Sequence, residues 1–585
     1  MITNRSDCSY LHATRRQIRI NMKKNEQKTL KNVLHNSILH YGNNIAVSMV
    51  GGKPITYEKF GNKVEILSKI LQKRGIIKGD KVAILSENKP QWGIAFFAIT
   101  TLGAIAVPIL PDFHANEIRH ILMHSEAKAI FISREQYNKL EDVEMESLST
   151  IFHIDDFSII PPHTTVDKLK DFIKEGEVEF AKLRESALKL LYPAQSSLKE
   201  DDVASIIYTS GTTGHSKGVE LTHKNFIFDA EATLKVQNVV EGDRLLSILP
   251  LSHSYEFTIG FLIPFIRGAS IYYIDKPPVA RVLLPVLQKI RPTMMLTVPL
   301  VIEKIYKLRI APQLSKSGLL RQLMKVPAVR KELHKLAAKK VMKFFGGEMK
   351  FFGIGGAGLN SEVEKFLREG KFPYAIGYGL TETSPLIAGS GVKNTKFRST
   401  GIIVPEVEVK INEPDKKTGE GEIWVKGDNV MKGYYKDPDR TKEMFSEDGW
   451  LKTGDLGYMD KDGYLFIIGR LKNVIVGPSG ENVYPEEIES QINQYDDVLE
   501  SLVYQENGQL VARAHLNYEE LESEFKNKKM TETQIAKRIE EMLEKIRNEV
   551  NGNMSSFSRI LKMIEQSAPF EKTPTKKIKR YLYTV

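Results

Sequence analysis

Apolar residues fall into two textures along the chain. Up to about residue 400, short continuous apolar runs at 81–85 (KVAIL), 129–133, 245–249 and 269–274 alternate with stretches of helical period such as 117–124 and 282–289. Strands without polar alternation are buried on both faces, as in a parallel sheet covered by helices. The longest uncharged stretch, QWGIAFFAITTLGAIAVPILP at 91–111, has about the ~20 residues that a bilayer helix needs. Gly103 breaks it and 104–109 reads as a strand, so it is assigned to a buried helix and a strand of an α/β core.

From about residue 400 the pattern changes to alternating strands with turn signals: VEVKI at 407–411, GEIWVKG at 421–427 and DKDGYLFIIG at 460–469. A β-rich subdomain is predicted there. Beyond residue 472 a smaller unit begins, its clearest helix near 532–550 with Ile535, Ile539, Met542, Leu543, Ile546 and Val550 on one stripe. The ending FEKTPTKKIKRYLYTV reads as a loop with a short strand or tail, and no internal repeat is present.

With 585 residues, 42% hydrophobic and 27% charged, the chain exceeds the ~250 residues at which single cores stop growing. Its single cysteine, Cys8, excludes a disulfide framework and a Cys-rich metal site, and fits a cytoplasmic location. Residues 1–31 carry Arg5, Arg15, Arg16, Arg19, Lys23, Lys24, Lys28 and Lys31 against Asp7 and Glu26, and read as a disordered basic arm. Met1 and Met22 are both open as the start. A net charge of +10 suits polyanions. Nucleic acid is not among them, because no zinc-finger spacing or aromatic-basic RNA motif occurs. The basic stretch RQLMKVPAVRKELHKLAAKKVMKFFGGEMK at 321–350 has two readings: a solvated helix face, or a peripheral contact with an anionic inner membrane surface.

The stretch that carries chemistry is YTSGTTGHSKGVELTH at 208–223. It fails the G-x-x-x-x-G-K-[ST] pattern of a Walker loop, because Lys217 lies between Ser216 and Gly218. Val203, Ile206, Ile207 and Tyr208 before it, and Val219 to Thr222 after it, read as two strands around a glycine-rich tip. Such a tip either cradles phosphates with backbone N–H groups and one ammonium, or is an ordinary polar turn.

Three further segments follow in order: YGLTETSP at 378–385, DGWLKTGDLGYMD at 448–460 and GRLKNVIVGPSGENVYPEEIE at 469–489. Together they resemble the acyl-adenylate-forming family, which includes acyl-CoA synthetases, adenylation domains of nonribosomal peptide synthetases and firefly luciferase. The resemblance runs from ITYEKF at 55 and KGDKVAILSENKPQW at 78 to Lys577. It implies an α/β protein: an N-terminal adenylation domain over 32–471, of stacked α/β subdomains with the β-rich subdomain about 400–471, and a small mobile α+β domain over 472–585.

Carried over by residue, Thr209, Ser210, Gly211, Thr212, Thr213, Gly214 and Lys217 would hold the outer phosphates of ATP. Gly355, Gly356, Ala357, Tyr378, Gly379 and Thr381 would frame the nucleotide, and Asp455 and Arg470 its ribose. Glu382, with Thr209, would bind Mg²⁺, a hard cation that wants carboxylate and phosphate oxygens. Lys472 would be the hinge, and Gly480 and Glu481 would line a tunnel for the thiol.

The implied reaction joins a carboxylate to AMP with release of pyrophosphate, then passes the acyl group to CoA. An anion must approach a polyanion, so positive charge at the transition state is the main lever. Relatives often show T-x-x-G-K near the end; here Thr573-Pro574-Thr575-Lys576-Lys577 replaces the Gly with Lys576, and register assigns the catalytic role to Lys577 beside Lys217. His253, in LPLSHSYE at 249–256, resembles the gate between nucleotide and acyl pocket. Ser254 stands where amino-acid-activating relatives place Asp. The H-x-Y-E stretch, the extra segment around 305–345 and the TPTKKIKR ending look most like long-chain fatty-acid-CoA ligases. The alternatives are an adenylating ligase for an aryl or branched acid or for acyl carrier protein, and a non-catalytic membrane-associated binding protein.

Overall fold

A computed structural model describes residues 27–140, 148–161, 198–209, 216–476, 482–518, 521–522, 525, 530–555, 558–573 and 577–584. Helix α1 (Leu30–Tyr41) starts at a Thr29 cap whose hydroxyl accepts from the Asn32 amide, and Leu30 is fully buried. The expected arm boundary at residue 31 therefore falls too late. Residues 27–31 are held to the body by Leu30 in the core, by the Lys28 amide donating to Glu200 (2.9 Å) and by the Lys28–Glu231 ion pair (2.9 Å). The rest of the arm, with Cys8, lies outside the described residues.

The two strands expected around Gly103 form as a parallel pair, β1 (Lys81–Leu85) and β2 (Ile105–Ile109), joined by helix α2 (Pro90–Thr101). Val82 and Ile84 enter one core while Ala83 and Leu85 enter another on the opposite face. Successive strand residues point to opposite sides, so burial on both faces removes polar alternation. Helix α2 is buried nearly all round, with Trp92, Phe96 and Phe97 packed on Phe257, Phe261 and Phe265. Among the described residues no helix is long and apolar enough to cross a membrane.

Helix α3 (Ala115–Ser125) follows, and then the hairpin of β3 (Val203–Thr209) and β4 (Lys217–Thr222), antiparallel as its flanks predict. These strands belong to an eight-stranded sheet. A thirteen-stranded sheet packs against it through shared helices. Its parallel half contains β5 (Arg244–Ser247), β6 (Phe351–Ile354) and β7 (Tyr374–Gly379).

The alternating strands beyond residue 400 do not make a sheet of their own. Leu386–Gly389 pairs antiparallel with β7, and Gly401–Ile403 continues the same sheet to β9 (Leu451–Met459) and β10 (Tyr464–Arg470). Between them in sequence, the two-residue strand β8 (Gly433–Tyr434) returns to the other sheet and pairs with β4.

The basic stretch forms helices α4 (Gly318–Lys325) and α5 (Pro327–Phe344). The C-terminal unit packs helices α6 (Pro485–Ile492) and α7 (Glu532–Gly552) on a three-stranded sheet, over a core of its own that includes Val483, Ile488, Val503, Leu543 and Ile560. Ile539, Met542, Leu543, Ile546 and Val550 of the expected stripe are buried, and Ile535 is half-buried. This unit meets the large one through Lys307, whose ammonium donates to the carbonyls of Asn493 (2.7 Å) and Val498 (2.9 Å).

Candidate active site

The glycine-rich hairpin springs from a constrained base. Thr209 faces Lys217 across the strands and Tyr208 faces Gly218. A Cβ at Gly218 would lie 2.7 Å from Ile206 Cγ2 and 3.2 Å from the Tyr208 ring, so glycine is required by packing. The Thr209 hydroxyl is buried without a hydrogen-bond partner among the described residues. Ser210, Gly211, Thr212, Thr213 and Gly214 lie outside the described residues.

Lys217, the first residue of β4, points to Glu382 on the short 3-10 turn Thr381–Thr383, with Nζ 3.0 Å from Oε1. Tyr434 of β8 completes the contact. Its hydroxyl donates to the same carboxylate oxygen (2.8 Å) and also meets the Lys217 ammonium, which lies 4.1 Å from the ring centroid. Burial acts to raise the Glu382 pKa, but Lys217 and Tyr434 outweigh it and hold the carboxyl below its usual range.

A second group forms where β9 and β10 pair. Asp455 and Arg470 are register partners, and Arg470 Nε lies 2.7 Å from Asp455 Oδ1. The Tyr378 hydroxyl, from β7, donates to the other carboxylate oxygen at 2.8 Å. Burial raises the Asp455 pKa despite the opposing Arg470 charge. Gly379, beside Tyr378, has no room for a side chain, since a Cβ there would fall 1.8 Å from the Pro385 carbonyl oxygen. Gly355, Gly356 and Ala357 turn away from the end of β6. A Cβ at Gly355 would sit 3.1 Å from the Tyr255 ring, and Gly356 has φ +89°, a conformation open to glycine.

Lys577 joins these groups from the far end of the chain. The Thr573 amide donates to the Lys577 carbonyl (2.7 Å) and the Lys577 amide to the Thr573 hydroxyl (3.1 Å). Its side chain is exposed. Loss of bulk water and the Arg470 charge lower its pKa, against Asp455 and Glu382. His253 is half-buried, and burial followed by the Lys577 charge brings it down to about 4, so its imidazole is neutral at pH 7. Lys472 sits just past β10, its pKa lowered by desolvation and by Arg470, Lys577 and Lys217. Gly480 and Glu481, and Lys576 beside Lys577, lie outside the described residues.

One residue with a place here carries no signal in the expected motifs: Tyr434, which bridges Lys217 and Glu382. Tyr255, which covers Gly355, and the buried Glu256 belong to the H-x-Y-E stretch, where the resemblance gives a role to His253 alone. The GYYK run at 433–436 marks a short aromatic strand, but nothing local says that it pairs with β4.

The arrangement brings three cations, Lys217, Arg470 and Lys577, together with two carboxylates, which suits a nucleotide polyphosphate. Comparison with known proteins agrees. The family model described as AMP-binding enzyme matches residues 34–435. Fatty acyl-CoA synthetase A of Dictyostelium discoideum is 29% identical, over 77% of this chain and 71% of its own. The long-chain-fatty-acid–CoA ligase heimdall of Drosophila melanogaster is 30% identical, over 76% of this chain and 68% of its own. Among solved structures, ATP-bound MatB from Rhodopseudomonas palustris superposes with a TM-score of 0.72 at 21% identity, covering 94% of this chain and 98% of that one. On this match over most of its length, the chain belongs to the AMP-binding enzyme family.

Proposed function

We propose that this protein is an AMP-forming fatty-acid–CoA ligase acting on long-chain acids. It joins a carboxylate to the α-phosphorus of ATP, releases pyrophosphate, and transfers the acyl group to CoA. The observation that carries the reading is that Lys217, Glu382, Asp455, Arg470 and Lys577, from five separated segments, lie within electrostatic reach of one another. The fatty-acid assignment rests on both relatives named above, and its long-chain part on the Drosophila ligase.

In this reading Thr209 and Lys217 bind the departing pyrophosphate. Asp455 accepts from the ribose hydroxyls, and Tyr378 both orients that carboxylate and borders the base. Lys577 stabilises charge that develops as the carboxylate attacks. His253, neutral, stands between nucleotide and acyl group. Glu382 and the Thr209 hydroxyl, buried without a partner among the described residues, are oxygen donors that fit Mg²⁺ alongside substrate phosphates. Magnesium, when bound, neutralises phosphate charge. Among the described residues no group of three or more His, Cys, Asp or Glu could hold a metal alone, so the phosphates would complete the site. Residues 472–585 rotate about Lys472 between the two half-reactions, with Gly480 and Glu481 lining the thiol path.

The test is ATP–pyrophosphate exchange over C2 to C18 and aryl acids, followed by product formation with CoA or acyl carrier protein. Exchange limited to aryl or short acids would replace the long-chain assignment, and exchange independent of any acid would end the ligase reading.

Peripheral contact with an anionic membrane, at the cytoplasmic face, is part of the same proposal. Helix α4 has no buried side chain, and Leu319 (68%), Val326 (47%) and Leu336 (58%) stand exposed. Arg321, Lys325, Lys331, Lys339, Lys340 and Lys343 flank them, exposed in every case. Basic residues around exposed leucines favour an anionic bilayer. Liposome sedimentation that ignores anionic lipid would remove this part.

A further inference from the structure

Behind the hairpin, on the side away from Glu382, lies an aromatic cluster that no step above uses. His120 and His124 stand one turn apart on α3 and stack, with centroids 5.6 Å apart and planes 20° apart. His124 Nδ1 lies 2.7 Å from the Tyr208 hydroxyl. The His124 ring meets Tyr208 and Tyr435 edge to face, at 87° and 89°. His120 Nε2 lies 3.3 Å from the Ser216 carbonyl.

These contacts hold both roots of the hairpin. Tyr208 directly precedes Thr209, and Ser216 directly precedes Lys217. A third attachment comes from the strand beside β4. Neighbouring residues of an extended segment point to opposite sides. Tyr434 accordingly reaches Lys217 and Glu382, while Tyr435 turns to His124 and its amide donates to the Gly218 carbonyl at 2.8 Å. The cluster and the charged site are two faces of one small construction.

Proton placement follows from the partners. A carbonyl only accepts, so His120 presents Nε2–H to Ser216. Tyr208 is 2% exposed, and burial raises its pKa, so the phenol keeps its proton. A neutral His124 accepts that proton's hydrogen bond at Nδ1. A proton on Nδ1 would reverse the bond and deprive a buried hydroxyl of its acceptor, which is costly. The charged and titratable groups around His124 are His120, Glu126 past the end of α3, Lys81 on β1, Tyr208 on β3, and Tyr435, Lys436 and Asp437 after β8. Glu126 pairs with Lys436 (2.7 Å) and Lys81 (3.8 Å). Burial, then His120 and Lys436, lower the His124 pKa, against Asp437 and Glu126.

We propose that His120 and His124, with Tyr208 and Tyr435, are positioning residues of the phosphate site: the His120 Nε2–H and the neutral His124 ring anchor the two hairpin roots and so locate Thr209 and Lys217, and protonation of His124 releases the root it holds. The inference rests on the reading of Lys217 as a phosphate ligand.

The experiment measures KM for ATP and for the acid in pyrophosphate exchange, from pH 5 to pH 8, for the full-length protein. His124→Ala should raise KM for ATP about tenfold, the scale of one buried hydrogen bond losing a partner, with KM for the acid unchanged. His124→Asn keeps a δ-position acceptor and cannot titrate. It should restore KM for ATP at pH 7.5 and abolish the rise that the wild type shows toward pH 5. An unchanged KM for ATP in His124→Ala, or an acid rise retained in His124→Asn, would overturn the inference. Should His124→Ala fail to fold, the His124→Asn profile decides. Lys217→Ala separates the two levels: if it leaves KM for ATP unchanged, the phosphate reading itself fails, and if it raises KM while the His124 variants do not, only the positioning role fails.

Discussion

Glu256→Gln should make this protein more stable at neutral and alkaline pH. Glu256 is 1% exposed, in the segment just past His253. Its Oε1 accepts from the Ser247 hydroxyl at 2.5 Å, and Ser247 in turn accepts from the Asn88 amide at 2.9 Å. Its Oε2 is buried without a hydrogen-bond partner among the described residues, and the carboxyl leans on Gly260, where a Cβ would come within 2.7 Å of it. Burial, opposed only by Ser247, pushes the carboxyl from 4.5 up to about 8.

The folded protein therefore keeps a proton at pH 7 that the unfolded chain has lost. Stability is fully present below pH 4.5 and declines as pH rises toward 8, by about 1.4 kcal/mol per unit. Between pH 5 and pH 7.5 the loss is about 3 kcal/mol. Gln has the shape of the protonated acid and does not titrate, so its stability relative to the wild type should grow by about 3 kcal/mol between pH 5 and pH 7.5. Urea unfolding at both pH values, followed by tryptophan fluorescence, reads the difference, since Trp92 is buried 6.0 Å from the neighbouring Phe257 ring. A Gln variant less stable than wild type at pH 7.5 but not at pH 5 would show an ionised, stabilising Glu256 and refute the reasoning.

Other expectations follow from the same geometry. Lys577→Ala should slow adenylation by about 10²–10³-fold, the scale of removing one transition-state donor, and spare thioester formation from supplied acyl-AMP; a normal exchange rate would withdraw its catalytic assignment. Tyr434→Phe deletes the hydroxyl shared by Glu382 and Lys217, and should lower kcat/KM for ATP about tenfold, as for a hydrogen bond to a charged group, which steady-state kinetics will test. His223 accepts from the Leu30 amide at 3.2 Å, and burial lowers it to about 4. The unfolded chain takes up that proton first, so stability should fall by up to ~3 kcal/mol as pH drops from 6.5 to 4. His223→Asn should flatten this acid limb in urea titrations at pH 4.5 and 7.

Much of the scaffold is legible from residue order alone. Runs such as KVAIL announce strands buried on both faces, and they split between two cores as that pattern requires. The β3–β4 hairpin can be read from its flanks, and the stripe of α7 from its helical period. The ordered motifs name Lys217, Glu382, Asp455 and Arg470 because each sits in a local run of distinctive composition.

What depends on tertiary structure has no local period. Tyr434 lies 217 residues from Lys217, and Glu382 lies 165; only the return of β8 to β4 brings the tyrosine in. The alternating strands after residue 400 read as a β-rich subdomain with no stated edge, because alternation describes a strand's faces but not its edge neighbours, and pairing through β7 joins them to the parallel half. The charge state of Glu256 and the tautomers of His120 and His124 are likewise beyond the sequence. Residue identity by itself determined which groups can titrate or donate. Burial and the partner across the gap decided which of them do, because desolvation and hydrogen bonding are properties of packed surroundings and not of the chain.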